Sequence, residues 1–131
     1  MRRQRPELAA AKATMSFLLL YIDEGCKFDK QAVTSAIRSL NGAKLVRPDD
    51  DCLCMYDYAK GNDATTIRLM KDKETIAIDG TGDASLYAAL HIQAHYPEVI
   101  HMIDEAYSFD LVLRGIGSLG ELEQRIKDVG G

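Results

Sequence analysis

The chain has 131 residues, with 16 Lys and Arg residues against 20 Asp and Glu residues and a formal charge of −4. This length fits one domain with a core large enough to need no disulfide or structural metal, and 47% hydrophobic with 27% charged residues excludes a disordered chain. An acidic chain is also poorly suited to general nucleic-acid binding, which depends on Lys and Arg residues that neutralise phosphates.

A basic leader precedes the predicted domain. Residues 1–14 carry a charge of +3. We interpret them as a disordered leader that comes from an upstream start, or as a loose helix that their alanines favour. The apolar run at residues 16–22 is too short to span a bilayer, and acidic residues follow it where a signal cleavage site needs small ones, so it predicts a buried first strand. Residues 15–131 then form a single domain with a charge of −7.

A helix and three strands are predicted after the first strand. Asp29 is a good N-cap, apolar residues recur at helical spacing from Val33 to Leu40, and Gly42 ends the helix. The next segments alternate between apolar and polar residues and are separated by turn residues, which predicts strands at residues 52–58, 65–70 and 75–79.

The second half of the chain predicts two helices and two further strands. The helix at residues 83–96 is apolar on both sides, so we expect the C-terminal segment or a second subunit to cover it. Ser118 and Glu121 form a capping box that opens the last helix. The two strands lie between these helices, at residues 99–103 and 109–113.

The elements follow the order β-α-β-β-β-α-β-β-α. This order predicts an α+β fold in which helices pack on one face of a mainly antiparallel sheet. The opening β-α-β-β part is ferredoxin-like. Fold alone leaves the function open, so the argument for function must come from particular residues.

Three cysteines, Cys26, Cys52 and Cys54, form an odd number without the spacing of a disulfide framework, which indicates a reducing cytoplasm. In a strand, Cys52 and Cys54 would share one face. No second Cys or His pair at zinc-site spacing completes a metal centre, and we predict neither a metal nor a cofactor.

Three histidines give the strongest pattern for an enzyme. His91 and His95 are four residues apart on the predicted second helix, so both could face one metal ion, and His101 follows on a strand. The glutamate of a metalloprotease helix is missing, because Ile92 follows His91. The turn at residues 80–83 resembles an anion-binding turn but lacks the Walker lysine. A small metal-dependent or anion-binding enzyme is therefore one alternative.

Two acidic segments, residues 49–63 and 98–110, carry tyrosines, a residue type enriched in protein interfaces. If Leu53 and Met55 face the helices, Tyr56 and Tyr58 lie on an open side of the sheet. Such an acidic surface attracts a basic partner and speeds its arrival. We predict a partner-binding surface of ten residues: Asp49, Asp50, Asp51, Tyr56, Asp57, Tyr58, Asp104, Glu105, Tyr107 and Asp110.

Two further segments are informative: Asp104-Glu105-Ala106-Tyr107-Ser108-Phe109-Asp110-Leu111 and Ser118-Leu119-Gly120-Glu121-Leu122. In these segments the chain resembles small bacterial immunity proteins, which are the antidotes of polymorphic toxin and contact-dependent growth inhibition systems. The resemblance extends over most of residues 15–131 in size, acidity and order of elements. The resemblance implies a cytoplasmic protein that binds a cognate toxin domain, often a nuclease, and blocks its active site or substrate groove. We accordingly expect no enzymatic activity of its own and no direct contact with nucleic acid or membrane.

Charge supports this reading, because a nuclease must be basic to hold phosphate and an acidic inhibitor can imitate the charge of its substrate. A homodimeric interaction module is a further alternative. In that case the apolar second helix or an exposed edge strand would join two copies.

Overall fold

The computed structural model describes residues 17–23 and 25–130; the predicted leader, residues 1–14, lies outside them. The described strands are β1 (Phe17–Tyr21), β2 (Lys44–Val46), β3 (Cys52–Lys60), β4 (Asp63–Met70), β5 (Ile76–Asp79), β6 (His101–Asp104) and β7 (Asp110–Val112). The described helices are α1 (Lys30–Arg38), α2 (Asp83–Ala94) and α3 (Leu119–Gly130). None of these helices has the length and apolarity needed to cross a membrane.

All seven strands form one antiparallel sheet in the order β2-β3-β4-β5-β1-β6-β7. The predicted α+β class and antiparallel sheet are confirmed, and the element order gains one strand, β2. The opening β-α-β-β segment resembles a ferredoxin-like fold only in the order of its elements, because β1 lies between β5 and β6 and is antiparallel to both. β2 has only three residues, too few for a periodic pattern to reveal it.

A single hydrophobic core lies between the sheet and the three helices. Leu18, Ile67 and Ile78 reach it from neighbouring strands, and Ile37 and Ile92 reach it from α1 and α2. α2 packs between α1 and α3, which explains why the sequence of this helix is apolar on both sides. Of the two predicted ways to cover α2, the C-terminal segment or a second subunit, the structure shows the C-terminal segment.

Side-chain caps begin two of the helices where the sequence predicted them. The Asp29 side chain accepts a hydrogen bond from the Ala32 amide at 3.3 Å at the start of α1. Before α3, the Glu121 amide donates to Ser118 Oγ at 3.1 Å, and Glu121 Oε1 accepts from the Gly117 amide at 3.1 Å. Each cap satisfies amides that have no partner within the helix.

Candidate partner-binding face

The two faces of the sheet have different surroundings. Leu18 and Leu20 on β1 point into the core and are fully buried, whereas Phe17, Leu19 and Tyr21 point to the other face and are only half-buried. In the part of the chain that the structure describes, all three helices pack on the core side. We call the helix-free side, carrying these three β1 side chains and their cross-strand neighbours, the open face.

The open face contains a hollow of about 830 Å³ over β4, β5 and β1. Apolar side chains of the strands line its base, among them Phe17, Leu19 and Ala77. Among the described residues, Arg68 is the one cation lining the hollow, and it lies among five carboxylates: Asp49, Asp51, Asp63, Asp72 and Asp79. We call this site the acidic hollow; it joins an apolar base to a negative rim.

Arg68 ties two parts of the rim together. Its guanidinium hydrogen-bonds Asp79 on the neighbouring strand β5, and its Nε lies 3.7 Å from Asp49 Oδ2 in the loop before β3. The hydrogen bond to Asp79 raises the pKa of Arg68 above its ordinary value, so this cation stays charged and offsets part of the surrounding negative charge. The remaining carboxylates give the hollow a net negative charge that favours a cationic ligand.

A β-bulge separates the two cysteines of β3. The pairing with β4 shifts between Cys52 and Cys54, so the prediction that they share one face is wrong: an extra residue in a strand reverses the alternation. Cys52 lines the acidic hollow, whereas Cys54 belongs to the core. Burial raises the pKa of both thiols, which keeps them protonated at neutral pH.

The predicted orientation of Tyr56 and Tyr58 is wrong. Both rings face the core, where the residues are only 4% and 6% exposed, and Met55 lies opposite Arg68 on the open face instead. The reason is geometric: a strand presents alternate residues to opposite faces, and in β3 the tyrosines take the core-facing positions. Neither ring offers contact area to a partner on the open face.

Asp57 and Asp110 share the open face but lie far apart. Asp57 is on β3 and Asp110 is on β7, five strand spacings away, which corresponds to about 24 Å. The Tyr21 hydroxyl donates to Asp110 Oδ2 at 2.8 Å, and the Tyr21 ring stacks on His101 at 4.9 Å. Burial first, then the hydrogen bond with Asp110, raises the pKa of Tyr21 to about 12.

The other predicted residues lie at the margins. Asp104 is opposite Leu18, on the core side of the sheet, and its carboxylate accepts a hydrogen bond from the Ser108 amide at 2.6 Å. Glu105 and Tyr107 lie in the β6–β7 turn, where Tyr107 is 74% exposed with a positive φ of 56°. Asp50 is exposed in the loop before β3 and does not line the acidic hollow.

The three histidines do not converge on one point. His91 and His95 stack at 4.3 Å on α2, on the core side of the sheet, and His91 Nε2 lies 2.7 Å from Ser39 Oγ. His101 is on the open face with Tyr21. Among residues 17–23 and 25–130, no three or more His, Cys, Asp or Glu side chains are placed to hold a metal ion. The arrangement therefore gives no support to the metal-dependent alternative.

The turn before α2 is closed to an anion. Asp63 Oδ2 accepts a hydrogen bond from the Ala84 amide at 2.9 Å, so a carboxylate of this chain already occupies the helix N-terminus. Gly82 is the N-cap residue, and a Cβ added there would clash with the same oxygen. Phosphate in this position would meet the negative charge of Asp63 directly.

The predicted site lacks Arg68, three of the five carboxylates of the acidic hollow, and the apolar base formed by β1 and β5; the three carboxylates are Asp63, Asp72 and Asp79. The sequence carried a signal for Arg68 alone. In β4, the more polar Thr66, Arg68 and Met70 positions alternate with the apolar Ile67 and Leu69. That pattern alone could have assigned Arg68 to a face opposite the core. The alternation could not have shown that Asp79 and Asp49 lie next to Arg68, because their contact with Arg68 depends on which strands are neighbours.

Comparison with protein-family models, with curated proteins and with solved structures finds no match to this chain.

Proposed function

We propose that this protein is an inhibitor of the immunity type, which binds a basic toxin domain through the open face of its sheet and acts by binding rather than by catalysis. The observation that carries the proposal is the acidic hollow. Five carboxylates and one arginine surround an apolar base on a sheet face that no described helix covers.

The size of the open face suits a protein partner. Seven strands at about 4.8 Å spacing span about 29 Å. This width is close to the side of a square patch of roughly 800 Å², which is the area that each partner contributes to an interface of standard size. Half-buried apolar residues such as Leu19 and Met70 supply an apolar centre, and the carboxylates supply a charged rim.

The electrostatics point to the class of partner. A negative hollow attracts a basic surface, raises the rate of encounter and opposes the approach of nucleic acid. Nuclease domains present such basic surfaces because they bind phosphates. We infer that the partner is a nuclease-type toxin, that inhibition blocks its substrate groove, and that the complex forms in the cytoplasm, where the three cysteines stay reduced.

Co-expression with the product of the adjacent upstream reading frame tests this proposal. We expect that product to be a toxin domain, to co-purify with this protein and to be non-toxic only in its presence. A neighbouring product that is not a toxin, or that fails to bind, contradicts the proposal.

A pair of matched variants then locates the surface. Asp51→Lys with Asp57→Lys reverses charge at two exposed side chains of the open face and leaves the Arg68 ion pairs in place. The exposed hydrogen bond from Thr66 Oγ1 to Asp57 Oδ1, at 3.0 Å, is lost, and circular dichroism checks that the double variant is folded. Glu123→Lys with Asp128→Lys makes the same change in charge on exposed positions of α3. We expect the first variant to weaken binding at least about tenfold, since close charge pairs contribute 1.5 kcal/mol or more. Equal affinity of the two variants would contradict the assignment of the open face.

A further inference from the structure

A second hollow lies between α1 and the edge strand β2, away from the acidic hollow. It has a volume of about 630 Å³. Leu53, Cys54 and Tyr56 form its base, and Leu45 of β2, which is 68% exposed, stands beside it. Three cations line it: Lys30, Arg38 and Arg47. We call this site the β2 groove.

The cations of the β2 groove form no ion pair with a carboxylate of residues 17–23 or 25–130. Among the described residues, the ion pairs within 4.0 Å involve none of Lys30, Arg38 and Arg47. The positive charge of Arg38 opposes the rise in the pKa of Tyr56 that burial causes, and Lys30 acts in the same way on Cys54. Both cations therefore act on the base of the groove, in a domain whose charge is otherwise negative.

The backbone beside the groove is also available. β2 forms one end of the sheet, so the outward N–H and C=O groups of this strand have no neighbouring strand in the described structure. Lys44 and Pro48 are residue types that protect an edge from unwanted pairing. Protection does not explain an exposed Leu45 beside a cavity with an apolar base, whereas an extended ligand would bury it.

We propose that the β2 groove binds an extended, acidic peptide segment of a partner protein. The segment would place an apolar side chain on Leu45 and carboxylates beside Arg38 and Arg47, with its backbone along β2. Charge complementarity selects an acidic segment. Nucleic acid fits less well. Tyr56 is the one aromatic side chain that the described part of the chain contributes to the groove, and at 4% exposure it cannot stack on a base.

The test is an NMR titration of the full ¹⁵N-labelled chain with an eight-residue peptide of alternating Glu and Val, and with a Lys and Val peptide of the same length. We expect the acidic peptide alone to shift amide signals, and the shifts to lie in α1 and β2. Arg38→Glu with Arg47→Glu should weaken binding about tenfold, because it replaces two attractions by repulsions. Arg125→Glu with Lys127→Glu, the same charge change on α3, should leave binding unchanged.

Four outcomes would overturn the proposal. These are equal binding of the two peptides, shifts centred on the open face, an unchanged affinity after charge reversal at Arg38 and Arg47, and tighter binding of an RNA oligonucleotide of equal charge at the same amides. A dimer of this chain that dissociates on the same charge reversal would assign the groove to a second copy. Loss of toxin binding leaves all of these readouts unaffected, so this proposal and the proposed function fail separately.

Discussion

Asp63 Oδ2 accepts a hydrogen bond from the Ala84 amide at 2.9 Å and thereby joins the start of β4 to the first turn of α2. The two residues are 21 positions apart, so this cap belongs to the tertiary structure rather than to the helix sequence. It satisfies an amide that has no partner within the helix and places a negative charge at the positive end of the helix dipole.

Removal of this cap should destabilise the fold. We expect Asp63→Ala to lower the free energy of unfolding by about 1 kcal/mol, the usual cost of losing an N-cap acceptor. Urea denaturation measures the change. The control is Asp50→Ala, which should change the free energy of unfolding by less than about 0.5 kcal/mol. The Asp50 carboxylate is exposed and takes no part in the side-chain hydrogen bonds or ion pairs of the described residues. Equal stability of the two variants would contradict the capping role.

The buried position of Tyr56 predicts a structural role for this residue. Tyr56→Ala should lower the free energy of unfolding by about 3–5 kcal/mol, because it removes a large ring from the core. Tyr107→Ala should have an effect within about 0.5 kcal/mol, since that ring is 74% exposed. Thermal or urea denaturation distinguishes the two. A mild effect of Tyr56→Ala would show that the ring does not belong to the core.

The His91 ring predicts a pH dependence of stability. Burial, and then the charge of His95, lowers the pKa of His91 below its ordinary value of about 6.5. The unfolded state therefore binds more protons than the folded state just below that pH, so stability is complete above pH 6.5 and falls as the pH drops towards the folded pKa. Urea midpoints at about pH 7.5 and about pH 5.5 measure the loss.

His91→Gln is the variant that isolates this effect. It should reduce the loss of stability on acidification, because the remaining histidines are more exposed or lie on the open face. An acid-induced loss that is identical in the variant would assign it to other groups.

The hydrogen bond between Tyr21 and Asp110 predicts a change in tyrosine titration. Asp110→Asn should lower the pKa of Tyr21 from about 12, because it removes the negative carboxylate that accepts a hydrogen bond from the Tyr21 hydroxyl. The shift should be partial, since burial is the larger cause. A ¹³C titration of labelled tyrosine measures it. Asp57→Asn, on the same face but remote from Tyr21, is the control; an equal change in both variants would contradict the contact.

The sequence predicts most of the helices and strands because their signals are local. Asp29 and Ser118 begin helices through hydrogen bonds within three residues of each cap. The face of β3 could not be assigned in this way, because both sets of alternating residues include apolar side chains and a bulge reverses the alternation at Cys52. Periodicity alone therefore could not show that Tyr56 lies in the core.

The acidic hollow depends on the order of strands, which no local pattern carries. Arg68, Asp79 and Asp49 are brought together because β4 lies between β3 and β5. The same order separates Asp57 from Asp110, although both predicted acidic segments reach the open face. The sequence could therefore identify an acidic protein with a sheet, but not where its carboxylates meet.

The central claim, that the open face binds a basic partner, is tested most directly by ¹³C-methyl methionine NMR of the protein titrated with the toxin domain. Met55 and Met70 lie on the open face, whereas Met102 is fully buried in the core and provides an internal control. We predict that the methyl signals of Met55 and Met70 shift or broaden on binding while that of Met102 stays in place. Binding that leaves both open-face methyl signals unchanged would contradict the claim.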